Sequence, residues 1–229
     1  MDIRRESPQL EISELLNELK GIRVSVNSNL IIVAITCLVS IVAFNNPGLV
    51  RRLILWPPAL SRDRQYYRLV TYGFLHANPT HLLFNMLTLY SFGNMMDALY
   101  THYLGSFGFV LFYVGGLIAS ILPSYLRNRD NAGYRSLGAS GAVSAVLFAS
   151  ILLQPWATLL VFLIPVPAIV FAVAYVAYTF YMERRGADNI NHSAHLWGAL
   201  YGIVFTIIME PRVIGLFMFS LTHPRLSSM

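Results

Sequence analysis

Charged positions divide this chain into long apolar blocks. No Asp, Glu, Lys or Arg lies between Arg23 and Arg51, Arg68 and Asp97, Asp97 and Arg127, Arg135 and Glu183, or Asp188 and Glu210. A helix needs about 20 apolar residues to cross the hydrocarbon core of a bilayer. The stretch 136–182 is long enough for two such helices, so the pattern predicts six spans. They are read at 29–44, 80–100, 107–122, 138–153, 167–182 and 192–209. Asn45-Asn46-Pro47-Gly48 ends the first as a turn cluster. Asn78-Pro79-Thr80 opens the second, Pro123 stops the third and Gln154-Pro155 follows the fourth.

The expected fold class is an all-α membrane protein, a six-transmembrane-helix bundle over 29–210. A polar segment, 1–28, precedes it and a short tail, 211–229, follows. Leu15, Leu16, Leu19 and Ile22 have helical spacing, which predicts a short amphipathic interfacial helix; residues 1–23 do not read as a signal peptide. Segment 45–78 mixes Arg51, Arg52, Arg62, Arg64 and Arg68 with Trp56, Tyr66, Tyr67, Tyr72 and Phe74. Arginine interleaved with aromatics predicts a long first loop lying at the membrane interface. Residues 156–165 are read as a second interfacial connection, because Pro165 and Pro167 interrupt them. The fourth span holds about 16 residues, or about 24 Å, against a hydrocarbon core of about 30 Å. One end therefore begins below the membrane surface. Gly138, Ser140 and Gly141 mark that end, and irregular backbone there requires protein or water around it.

Composition agrees: 56% of the 229 residues are hydrophobic and only 12% are charged, about half the usual soluble share. The net charge of +5 comes from 15 Arg and one Lys scattered between apolar runs. With no basic stripe, nucleic acid is a poor partner and anionic lipid headgroups a good one. The odd-numbered loops hold 10 of the 16 basic residues, so charge alone would put the N-terminus outside. A bacterial cytoplasmic membrane is the expected location. Cys37, the single cysteine, has no partner for an internal disulfide.

Three polar clusters sit at span starts: His76-Ala77-Asn78-Pro79-Thr80-His81-Leu82-Leu83-Phe84-Asn85, Leu137-Gly138-Ala139-Ser140-Gly141-Ala142, and His192-Ser193-Ala194-His195. Polar groups at membrane depth are costly, which points to function. Ser140 heads a helix, where free N–H groups favour an anion such as an acyl-transfer oxyanion. The Ser140 N–H, the Asn85 amide and the His81 ring are three candidate donors; His81 and Asn85, at i and i+4, share a helix face. A serine nucleophile needs a base, and His195 is the best candidate. Ala194, Gly198 and Gly202 form a stripe of small residues, as do Gly141, Ala145 and Ala149. Such stripes let membrane helices approach closely, and pressing them together brings His195 toward Ser140. Each cluster alone also fits plain helix packing; their joint occurrence carries the reading.

These residues resemble the rhomboid family. Gly138-x-Ser140-Gly141, His195 followed by Gly198 and Gly202, and His76-x4-His81-x3-Asn85 match its pattern over about residues 30–209. The resemblance implies intramembrane serine endopeptidase activity, with transmembrane protein substrates cut within or near their membrane segment. It implies Ser140 as nucleophile, His195 as base, and His81, Asn85 and the Ser140 N–H as oxyanion hole. It also has Gly138 keep the loop before the serine close to substrate. No cofactor or metal is expected. The chain departs from the family in three places. Tyr67-Arg68 stands where many members have Trp-Arg, and Asp97 and Leu99 where many have Glu-x-Arg. Ser144 stands where an aromatic often stacks on the histidine. Two rival readings are a catalytically inactive relative that binds membrane proteins, and a metal enzyme or transporter built on His76, His81, His192 and His195. A solute channel is a third, with no ring of charge to support it.

Overall fold

The computed structural model describes residues 27–161, 164–186 and 190–224. The amphipathic helix expected around Leu15–Ile22 lies outside the described residues. Ten helices follow: α1 (Ser28–Phe44), α2 (Pro47–Leu53), α3 (Pro57–Ser61), α4 (Arg68–Thr71), α5 (Pro79–Leu104), α6 (Gly108–Arg127), α7 (Ser140–Leu153), α8 (Ala168–Arg185), α9 (His192–Met209) and α10 (Val213–Thr222). Among the described residues, α6 and α9 are long and apolar enough to cross a membrane unaided; α1, α7 and α10 are shorter apolar helices.

Asparagines start several of these helices. The side chains of Asn27, Asn46, Asn78 and Asn191 accept from the third backbone N–H beyond them, at α1, α2, α5 and α9. Each such cap satisfies a donor that the first turn leaves without a partner. At the far end of α5 the buried Asp97 carboxylate accepts from Asn29 N (3.1 Å), so one long helix docks the start of another.

Helix α7 sits at the centre. Gly141 through Ile151 are buried without interruption, and α5, α6, α8, α9 and α10 all touch it. Around it, Leu38, Ile41, Leu83, Leu87, Val173 and Ile208 stay exposed, and such an apolar belt belongs against lipid.

The structure departs from the sequence reading in five places, the first being that α5 runs on past residue 100 to Leu104. Helix α6 runs through Pro123 to Arg127 instead of stopping there. Proline deletes one internal hydrogen bond, the one back to Ala119 O, and the helix continues for one turn beyond it. The connection read at 156–165 folds, with the two residues after it, as an antiparallel pair, Thr158–Val161 against Ile164–Pro167. Helix α8 extends past Met182 to Arg185, where Gly186 takes a left-handed φ of 57°. The tail carries the helix α10, whose Val213, Leu216 and Ser220 are buried.

Candidate active site

The first loop folds as three short helices and a 3-10 turn at Tyr72–Phe74, and it splints the segment before Ser140. Leu55 and Ser136 exchange two backbone hydrogen bonds of 3.1 Å. The Gly138 N–H donates to Tyr72 O (3.0 Å), while the Tyr72 hydroxyl donates to Leu117 O on α6 (2.8 Å). Buried Arg68 organises the loop itself, donating to the carbonyls of Arg51 (2.9 Å) and Ile54 (2.7 Å).

His76 makes the last of these ties. Ser40 Oγ donates to Phe74 O (2.7 Å) and lies 2.9 Å from His76 Nδ1. A hydroxyl has one proton, so Nδ1–H must be the donor to Ser40. The Ala139 N–H donates to His76 Nε2 (3.4 Å). His76 is thus a neutral clip, and it does not line the cavity described below. Burial, helped by the neighbouring His81 ring, pushes its pKa down from 6.5 to about 3. The unfolded chain therefore binds a proton below pH 6.5 that the folded chain refuses. Stability from this site is complete above pH 6.5 and slopes downward as the pH falls from there toward about 3. Thermal unfolding in detergent should show that slope in the native protein and a flatter one in His76→Gln.

Gly138 has φ of +118°, which L side chains rarely adopt, and a Cβ there would come within 2.8 Å of His81 Cε1. The next residue, Ala139, precedes α7 and offers no capping side chain. The first-turn N–H groups of α7, beginning with Ser140, are thereby left for another acceptor.

The two stripes of small residues meet. A Cβ on Gly198 would lie 2.0 Å from Gly141 O, and one on Gly202 would lie 2.1 Å from Ala145 O. Backbone therefore packs on backbone between α7 and α9. With the helices this close, His195 Nε2 stands 2.8 Å from Ser140 Oγ. For the hydroxyl to donate, that nitrogen must be unprotonated, which puts the ring proton on Nδ1.

A cavity of about 1220 Å³ is lined by Ser140, His195, His81, Asn85, Gly138 and Gly141, and its wall continues to Asn128 and Asn131 in the loop after α6. Water can thus reach Ser140 from the end of the bundle that carries the odd-numbered loops. Asn85 Nδ2 donates to His81 O (2.8 Å), one turn back on its own helix, and keeps a second N–H. Gly198 and Gly202 serve the packing and do not line the cavity. His192 and His195 rings are 6.0 Å apart, and those of His76 and His81 4.9 Å. Among the described residues no three His, Cys, Asp or Glu side chains gather as a metal site.

One residue at the site escaped the sequence reading. Tyr175 on α8 lies nearly parallel to the His195 ring, 14° between planes and 6.1 Å between centroids. Its hydroxyl is 2.9 Å from Ser144 Oγ. The signal available was Ser144 itself, a polar residue inside an apolar helix and in need of a partner.

Fold and site together define a helical membrane bundle that places a serine–histidine pair on the wall of a polar-lined cavity. Residues 63–212 match the family model described as the Rhomboid domain, and the chain belongs to the rhomboid family. It is 34% identical to RHOMBOID-like protein 12, mitochondrial, of Arabidopsis thaliana, over 60% of this chain and 45% of that one. It is 26% identical to the putative rhomboid protease YdcA of Bacillus subtilis and 24% identical to the rhomboid protease GlpG of Haemophilus influenzae, each over 68% of this chain and 76% of the relative. The chain spans about half the length of the plant relatives it matches. Rhomboid proteins are membrane proteins, and the family includes serine proteases.

Proposed function

We propose that this protein is an intramembrane serine endopeptidase acting through a Ser140–His195 dyad in a six-span bundle, on transmembrane protein substrates. The observation that carries the reading is the 2.8 Å contact between His195 Nε2 and Ser140 Oγ at the N-terminus of a buried helix, on the wall of a cavity with polar lining. A substrate segment unwinds into the cavity, because a helical backbone hides its carbonyls. Ser140 Oγ attacks the carbonyl carbon and its proton passes to His195 Nε2. The oxyanion is held by the Ser140 N–H, the second Asn85 N–H and the His81 ring. The C–N bond then breaks, and His195 returns the proton to the leaving amine. Water, deprotonated by His195, hydrolyses the acyl ester and frees Ser140. No step requires a cofactor. A bacterial cytoplasmic membrane suits the reading, and the named relatives also include a mitochondrial one.

A fluorophosphonate probe tests this directly. Protein in detergent should become covalently labelled, and Ser140→Ala should not. Equal labelling of the two would overturn the assignment, and chelators should leave labelling unchanged.

A further inference from the structure

We infer that Tyr175, pegged by Ser144, is the positioning residue that orients the His195 ring; the inference rests on the dyad reading above. A histidine that swaps a proton with Ser140 must hold its ring in one plane. The contact at Nε2 fixes one point of the ring, and a flat face packed against the ring sets its plane. The residue one turn beyond Ser140 on α7 is Ser144, whose side chain has no flat face to offer. Tyr175 supplies that face from a different helix. Its ring is offset from His195 at 6.1 Å and 14°, inside the range of stacked aromatic pairs.

The tyrosine is itself fixed on three sides. It stacks on Phe171 at 5.5 Å and 29°, and leans on Phe148 of α7 at 5.7 Å. Its hydroxyl and Ser144 Oγ share a hydrogen bond of 2.9 Å. Ser144 is buried, so the bond is shielded from water and sets the height of the tyrosine along α7. Tyr175 does not line the catalytic cavity. It acts through His195.

The peg also matters for α8. Only Ala168, Ala172 and Thr179 are buried on that helix, so its hold on the bundle is slight. The Ser144–Tyr175 bond ties it to the central helix at the level of the dyad.

The test compares covalent capture by a fluorophosphonate in wild type, Tyr175→Leu, Tyr175→Phe and Ser144→Ala, and in the double variant Tyr175→Leu with Ser144→Tyr. Leucine keeps bulk but has no flat face. Tyr175→Leu should lower the maximal capture rate about 10- to 100-fold with probe affinity unchanged. Tyr175→Phe and Ser144→Ala keep the ring and lose only the peg, so each should fall less. In the double variant the aromatic ring moves to α7, one turn beyond Ser140, and capture should recover. Tyr175→Leu capturing at the wild-type rate would overturn the inference. So would a folded double variant that recovers nothing, or Tyr175→Phe falling as far as Tyr175→Leu. If wild type fails to capture the probe, the dyad reading falls instead.

Discussion

Ser140→Ala and His195→Ala should each lower cleavage of a reconstituted transmembrane substrate by about ten-thousand-fold or more, and the double variant should be no slower than the worse single one. The two side chains act as one unit, so removing either removes the whole nucleophilic route. Non-additivity distinguishes a dyad from two independent contributors, whose losses would multiply. Neither side chain supports the bundle, since both line the cavity, so thermal unfolding should change little. Single-turnover rates in liposomes are the measurement. Substantial cleavage by either single variant, or a double variant slower by the product of the two, would contradict the assignment.

Gly198→Leu and Gly202→Leu are expected to have the largest effect on stability, at least about 3 kcal/mol each. In both places the new Cβ meets a backbone oxygen of α7, at 2.0 and 2.1 Å. A flexible side chain could turn aside, but a backbone carbonyl inside a helix cannot, so the two helices must separate. Separation also pulls His195 from Ser140, so activity should be lost together with stability. Gly215→Leu is the control, because nothing lies within 4 Å of a Cβ there. Unfolding temperatures in detergent separate the cases, and native-like melting of Gly198→Leu would show that α7 and α9 are not in backbone contact.

Much of the helical framework was legible because lipid imposes a long, one-signed pattern. The bounds 192–209 read from sequence coincide with α9, and those of the fourth span end where α7 ends. Glycine spacing also foretold which faces of these two helices meet. The hairpin at 158–167 was not legible, since two prolines in an apolar run argue against a strand until the pairing is seen. The splint formed by the first loop was equally hidden. Leu55, Ser136 and the Tyr72 carbonyl act through backbone atoms, which carry no residue-specific signal. Tyr175 was missed for a different reason. Its partners His195 and Ser144 lie on two other helices, and no spacing within α8 reveals a ring presented across a helix interface.

The 14 residues of α7 make it about 21 Å long, some 9 Å shy of the hydrocarbon thickness. That deficit works as a ruler. A substrate segment that unwinds to reach Ser140 would expose there a carbonyl about 9 Å below its own emergence point, the depth of about six helical residues. Lengthening a substrate's hydrophobic stretch at that end, one residue at a time, should therefore shift the scissile position by the same count.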